Sequence, residues 1–208
     1  MKLDRGEVAR YLGYGNRPLE PEISALAEQC ERELFQIGAP RRLGRRMALE
    51  GLPFTGESQD LDRHLRHCRE AFLMVVTLGG ETDRLLRRWA ASNMGKAAVG
   101  QACAAVWMDQ CCDDYLSELE GHLREGEYLR PAYSPGYGDL SLRWQESLLS
   151  LLDARRRIGV TLTSGGMLVP EKTVTAVVGI SDLPEERCRS HCHSCPHQNC
   201  PFRKGAST

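Results

Sequence analysis

Two apolar runs, AFLMVVTL at 71–78 and TVTAVVGI at 173–180, most constrain what this chain can fold into. Both have strand length and are rich in β-branched residues, and the first stops at the pair Gly79–Gly80, so each reads as an interior strand. The stretches between them are helical in character. ETDRLLRRWAASN opens with Glu81 and Asp83, whose charges suit the exposed amides of a helix start. Residues 95–120 read as one long buried helix in which Ala97, Ala98, Gly100, Ala102, Ala104 and Ala105 permit close approach of a neighbour. SLRWQESLLSLLDARRR at 141–157 reads as a further helix with Leu142, Gln145, Leu148, Leu149 and Leu152 along one side. Strands mixed with unevenly spaced helices predict an α+β fold, a mixed or antiparallel sheet packed with several helices, rather than a regular βαβ repeat.

Ahead of the first strand, a short helix ends in a turn punctuated by Gly13, Gly15 and Pro18. A longer helix follows from about Pro21 to Ile37, with Ile23, Leu26, Ala27, Cys30, Leu34 and Ile37 on one stripe. Residues 38–57 read as irregular, with Arg41, Arg42, Arg45 and Arg46 forming a solvated face, and a helix is expected around 58–69. Tyr11 and Tyr14 are expected to pack on the domain.

A chain of 208 residues can bury its own core without a disulfide or metal. Its 27 Lys plus Arg against 28 Asp plus Glu leave a net charge of -1, so no overall bias toward nucleic acid or an anionic membrane exists. Asp4 and Glu7 fall where a secretory signal would be apolar, and no apolar run approaches the roughly 18 residues of a membrane span. These features predict a cytoplasmic protein with neither nucleic acid nor membrane as partner. Without a secretion signal, the nine cysteines read as reduced thiols. Cys30 belongs to a core stripe, and Cys111 and Cys112 point about 100° apart on a helix, a poor arrangement for joint ligation. No Ser-His-Asp or paired-carboxylate arrangement is legible, so an independent hydrolase is not expected.

The strongest local chemistry is CRSHCHSCPHQNCPFR, which sets apart residues 183–208 as a tail on a domain of residues 1–182. Cys188, Cys192, Cys195 and Cys200 are close enough in sequence for one loop to wrap a single centre. Four thiolates suit zinc or an iron-sulfur cluster, with His191, His193 and His197 available as a substitute ligand or a hydrogen-bond donor. Zinc would pin the tail or form a docking surface, whereas a cluster would carry an electron.

Four segments together resemble small standalone proteins related to the activation domain of cobalamin-dependent methionine synthase. They are LDRGEVARYLGYG, LGGETDRLLRRWAASN, the stretch from SPGYGDLSLRW to TVTAVVGI, and the cysteine tail. The resemblance to the standalone proteins covers most of the chain, and that to the methionine synthase domain concentrates in about 128–180. It implies that the domain holds S-adenosylmethionine over a cobalamin supplied by a corrinoid-binding protein or methionine synthase. Oxidised cobalamin is then reduced by one electron, from a flavodoxin or ferredoxin, and remethylated.

On that resemblance, Ser134, Pro135, Gly136 and Tyr137 fall on the Pro-Gly-Tyr segment that binds S-adenosylmethionine. Pro135 would set a rigid approach, Gly136 expose backbone amides, and Tyr137 combine ring packing with a hydroxyl. Two departures stand out. The family has an arginine five residues before this tyrosine where Ala132 stands, leaving Arg130 to reach a ligand carboxylate by another loop path. The family also has Leu-Thr-Glu-Ser where this chain has Leu162, Thr163, Ser164 and Gly165, so Thr163 and Ser164 offer hydroxyls in place of an acid. The leading expectation is an accessory protein for reductive reactivation of a corrinoid methyltransferase. The alternatives are a noncatalytic corrinoid-protein docking module with structural zinc, and an iron-sulfur electron carrier.

Overall fold

Asp4 starts the first helix by accepting hydrogen bonds from Gly6 N at 2.7 Å and Glu7 N at 3.2 Å, which satisfies amides that a helix start leaves open. This helix, α1, spans Arg5–Tyr11 in a computed structural model that describes residues 2–15 and 17–184. Next, α2 spans Pro21–Ile37, with its proline at a position where the missing N–H costs nothing. Ala27, Cys30 and Leu34 of its expected stripe are buried, but Ile37 is exposed because the helix ends there. Gly38 follows, and a Cβ on it would collide with the Trp107 ring.

Residues 38–57 are not the irregular stretch the sequence predicts. Arg41–Ala48 form a strand, β1, paired along its whole length with β2, which spans Cys68–Thr77. Four arginines disguise a strand in which Leu43 faces inward. Arg41, Arg42 and Arg45 stay exposed as expected, while the long side chains of Arg42 and Arg46 reach across the sheet surface to acidic partners. Arg46 donates to Glu70 at 2.5 Å and to Glu127 at 2.6 Å, and Arg42 pairs with Glu118 at 2.5 Å while lying over the Tyr115 ring.

Between these strands, α3 spans Gln59–His64, shorter than expected because His67 adopts a left-handed φ of 67° and the chain turns into β2. Then α4 spans Gly80–Ser92 and α5 spans Met94–Glu120, close to the sequence reading. At Gly100 a Cβ would strike the Trp89 ring, which explains one small residue of the α5 run: it seats α4. A two-residue strand, β3, spans Tyr128–Leu129.

The helix expected over 141–157 is divided into α6, Trp144–Leu151, and α7, Ala154–Ile158, because Asp153 between them takes the left-handed conformation at φ 51°. Leu142 precedes α6 and is 52% exposed, so it does not share the buried side with Gln145, Leu148, Leu149 and Leu152. A hairpin of β4, Thr161–Leu162, and β5, Leu168–Val169, leads to β6, Thr173–Ser181.

The main sheet is antiparallel in the order β1-β2-β6-β3. Alternation along β2 feeds two cores, as a strand covered on both faces requires. Phe72, Met74 and Val76 pack with α2, α4 and α5 residues such as Leu34, Trp89 and Val106. Leu73 and Val75 pack on the other face with Leu61, Tyr133, Leu148 and Ile158. The fold is therefore α+β, with the sheet between two unequal helical layers.

Candidate functional site

The Pro-Gly-Tyr segment is held by the edge of the sheet. Arg130 N donates to Gly179 O at 2.8 Å, and Tyr133 exchanges two backbone hydrogen bonds with Val177, at 2.9 and 2.8 Å. The register gains one residue between these contacts, so the Pro131–Ala132 step bulges. In consequence Ala132 packs against the first core, while Tyr133 turns into the second. Arg130 lies on the second face too, because a Cβ on Gly179 would touch its Cγ together with Leu65 and Cys68.

Beyond Tyr133 the chain closes a turn through Tyr137 N to Ser134 O at 3.1 Å, Gly136 N to Leu140 O at 2.7 Å and Leu140 N to Tyr137 O at 3.0 Å. Gly136 at φ 95° and Gly138 at φ 51° supply the left-handed steps that other residues rarely adopt. Pro135 is buried, Ser134 half-buried, and Tyr137 stands out with 53% of its surface exposed.

Two supports brace this turn. The Tyr133 hydroxyl donates to Tyr137 O at 3.2 Å and its ring meets the Tyr137 ring edge to face at 6.1 Å; His64, bonded to Pro131 O at 2.8 Å, packs on Tyr133 from behind. On the far side Asp139 caps α3: it accepts from Gln59 N at 2.9 Å, Asp60 N at 3.2 Å and the Ser58 hydroxyl. Asp60 returns the contact by accepting from Asp139 N at 3.3 Å. The Ser58 hydroxyl, with the α3 amides, holds the Asp139 carboxyl below its ordinary pKa, and burial pushes the Tyr133 hydroxyl up.

The other predicted residues sit differently. Arg130 is 4% exposed and donates to Ser181 Oγ at 3.0 Å. Thr163 and Ser164 are exposed in the β4–β5 turn, where Thr163 Oγ1 accepts from Met167 N at 3.1 Å. Their hairpin attaches to the second core through Leu162 and Leu168, but neither hydroxyl bonds to the 130–139 segment. The structure thus brings Ser134, Pro135, Gly136 and Tyr137 together in one turn, places Arg130 earlier along the same edge with its guanidinium on Ser181, and leaves Thr163 and Ser164 as a separate exposed turn.

Cys188, Cys192, Cys195 and Cys200 lie outside the described residues. Among the described residues, no group of three or more His, Cys, Asp or Glu is arranged to hold a metal. Burial raises the thiol pKa of Cys30 and Cys111 to about 11 and of Cys103 and Cys112 to about 12, so these four stay protonated at neutral pH. Tyr11 packs as expected and donates to Asp109 at 2.8 Å. A cleft of about 600 Å³ between α1 and the start of α2, lined by Asp4, Arg10, Arg17, Pro18, Leu19 and Ser24, contains none of the predicted residues. No helix among the described residues is long and apolar enough to cross a membrane.

Superposition on solved structures matches this chain to the crystal structure of the MetH reactivation domain bound to AdoHcy, at a TM-score of 0.50 and 14% identity. The match covers 86% of this chain and 77% of that one. The fold is that of the MetH reactivation domain. No family model matches the chain, and no curated protein matches it. In this fold the braced turn at Ser134–Leu140 joins the exposed Tyr137 ring to a hydrogen-bonded backbone.

Sequence reasoning missed the braces. Ser58 ahead of a helical stretch is a readable cap signal, but the bond between Asp139 and α3 spans about 80 residues and has no local signature.

Proposed function

We propose that this protein supports the reductive reactivation of a corrinoid-dependent methyltransferase, methionine synthase among them, and holds S-adenosylmethionine at the Ser134–Tyr137 turn. One observation carries the proposal: the chain shares its fold with a reactivation domain solved with AdoHcy bound, and its Pro-Gly-Tyr turn is exposed yet held on both sides. The residues suit such a ligand. Tyr137 offers a half-open ring for an adenine or sulfonium group, and Gly136 lets a ligand approach the backbone closely. Arg130 would have to leave Ser181 and turn toward this loop to meet the ligand carboxylate. S-adenosylmethionine would supply the electrophilic methyl group. The cobalamin would belong to the partner, a flavodoxin or ferredoxin would supply the electron, and residues 183–208 would form a zinc or iron-sulfur unit apart from the domain.

Titration calorimetry with S-adenosylhomocysteine tests this reading. The parent is expected to bind saturably, and Tyr137→Ala to weaken binding about tenfold or more while the thermal midpoint stays within a few degrees. Equal affinity in parent and variant removes Tyr137 from the site. The engagement of Arg130 with Ser181, and of Thr163 within its own turn, favours a second reading, a noncatalytic docking module. That reading predicts no binding of S-adenosylhomocysteine by either protein.

A further inference from the structure

The edge of the sheet opposite the candidate site carries an unusual combination of open backbone and unpaired positive charge. β1 is an edge strand of eight residues, and among the described residues its backbone bonds only to β2. Its arginines divide by face. Arg42 and Arg46 point to the α5 side and are ion-paired with Glu118, Glu70 and Glu127. Arg41 and Arg45 point to the α7 side, where Arg45 donates to Leu151 O at 3.4 Å and the Arg41 guanidinium approaches Gly159.

α7 lies alongside and exposes Arg155, Arg156 and Arg157. Among the described residues, the ion pair on this side is that of Asp153 with Arg156, 3.3 Å apart. None of Arg41, Arg45, Arg155 and Arg157 has an ion-pair partner among the described residues, in a chain whose net charge is -1.

Unpaired strand edges invite another strand, and like charge along an edge blocks a second copy of the same chain. The same charge selects an acidic guest, since guanidinium groups bind carboxylates through paired N–H donors. We infer that β1 and α7 form a docking edge for an acidic, extended peptide segment of a partner protein. The segment adds as a strand beside β1 and places its carboxylates against Arg41, Arg45, Arg155 and Arg157. Backbone hydrogen bonds supply the attachment, and the arginines supply the choice of partner. The inference does not depend on ligand binding at Tyr137.

The test uses the full chain and a fluorescein-labelled peptide of alternating Glu and Val, about the length of β1, read by fluorescence anisotropy. Saturable binding is expected, weakening steeply as salt shortens the screening length from about 10 Å at 0.1 M toward about 3 Å at 1 M. The double variant Arg155→Glu/Arg157→Glu, both positions being solvent-facing, is expected to bind at least about tenfold more weakly with an unchanged circular dichroism spectrum. N-methylation of alternate peptide amides is expected to abolish binding, and a Lys-Val peptide not to bind. Equal binding of the N-methylated peptide, or of the double variant, overturns the inference. So does displacement of the peptide by a single-stranded oligonucleotide at lower concentration, or self-association of the parent through this edge.

Discussion

Gly138 sits where backbone and packing constraints coincide. Its φ of 51° is one that L residues rarely adopt, and a Cβ there would run into Asp60 and the Tyr133 hydroxyl. Gly138→Ala should therefore cost about 1–3 kcal/mol of stability, read from the denaturation midpoint, and weaken any ligand held by Tyr137. A neutral substitution would mean that the turn is not braced as described. Glu127 tests the other end of the sheet. Two hydrogen bonds from Arg46, then one from Arg124 N, bring its pKa down to about 2, below the value near 4.3 of an unfolded glutamate. A lowered folded pKa gives stability that is present above the unfolded pKa and lost as pH falls through the folded one. The stability difference between the parent and Glu127→Gln should thus shrink between about pH 4 and 2. A difference that is constant over that window would contradict the Arg46 pairing. Neither constraint was legible in the sequence: PGYG showed a turn, but not that Asp60 would close over its second glycine.

Ser58 shows how one element fixes another. Its hydroxyl accepts from Leu61 N at 3.0 Å and also donates to Asp139, so it caps α3 and ties the turn to it. Ser58→Ala is expected to cost about 1–2 kcal/mol and to speed amide exchange in residues 134–140. Unchanged exchange in that turn would show that the cap and the turn are independent. Elements with a clean apolar period, α2, α4, α5, β2 and β6, were legible because their local pattern agrees with their burial. β1 was not, since arginine stems cover apolar surface while reading as polar in the sequence. The division of α6 from α7 was also hidden, because Asp153 carries no glycine or proline to announce it.

At the scale of the molecule, cores pack on both faces of one antiparallel sheet, and we propose that this domain folds without the cysteine tail. A chain ending at Pro184 should fold with a thermal midpoint within a few degrees of the full chain, which scanning calorimetry would show. Collapse of the shortened chain would make the tail part of the fold and not an appended unit. The α+β class was legible because strand runs and helical periods alternate unevenly. The faces of the site were not, since the bulge at Pro131–Ala132 decides which side chains share a layer.

We propose that the Pro-Gly-Tyr turn of this reactivation-domain fold holds an S-adenosyl ligand. Amide hydrogen exchange with and without S-adenosylhomocysteine tests it most directly. Ligand-dependent protection is expected, concentrated in Ser134–Leu140 and the start of α3. Saturable binding that protects the α1–α2 cleft and leaves this turn unchanged would contradict it, as would no protection at saturating ligand.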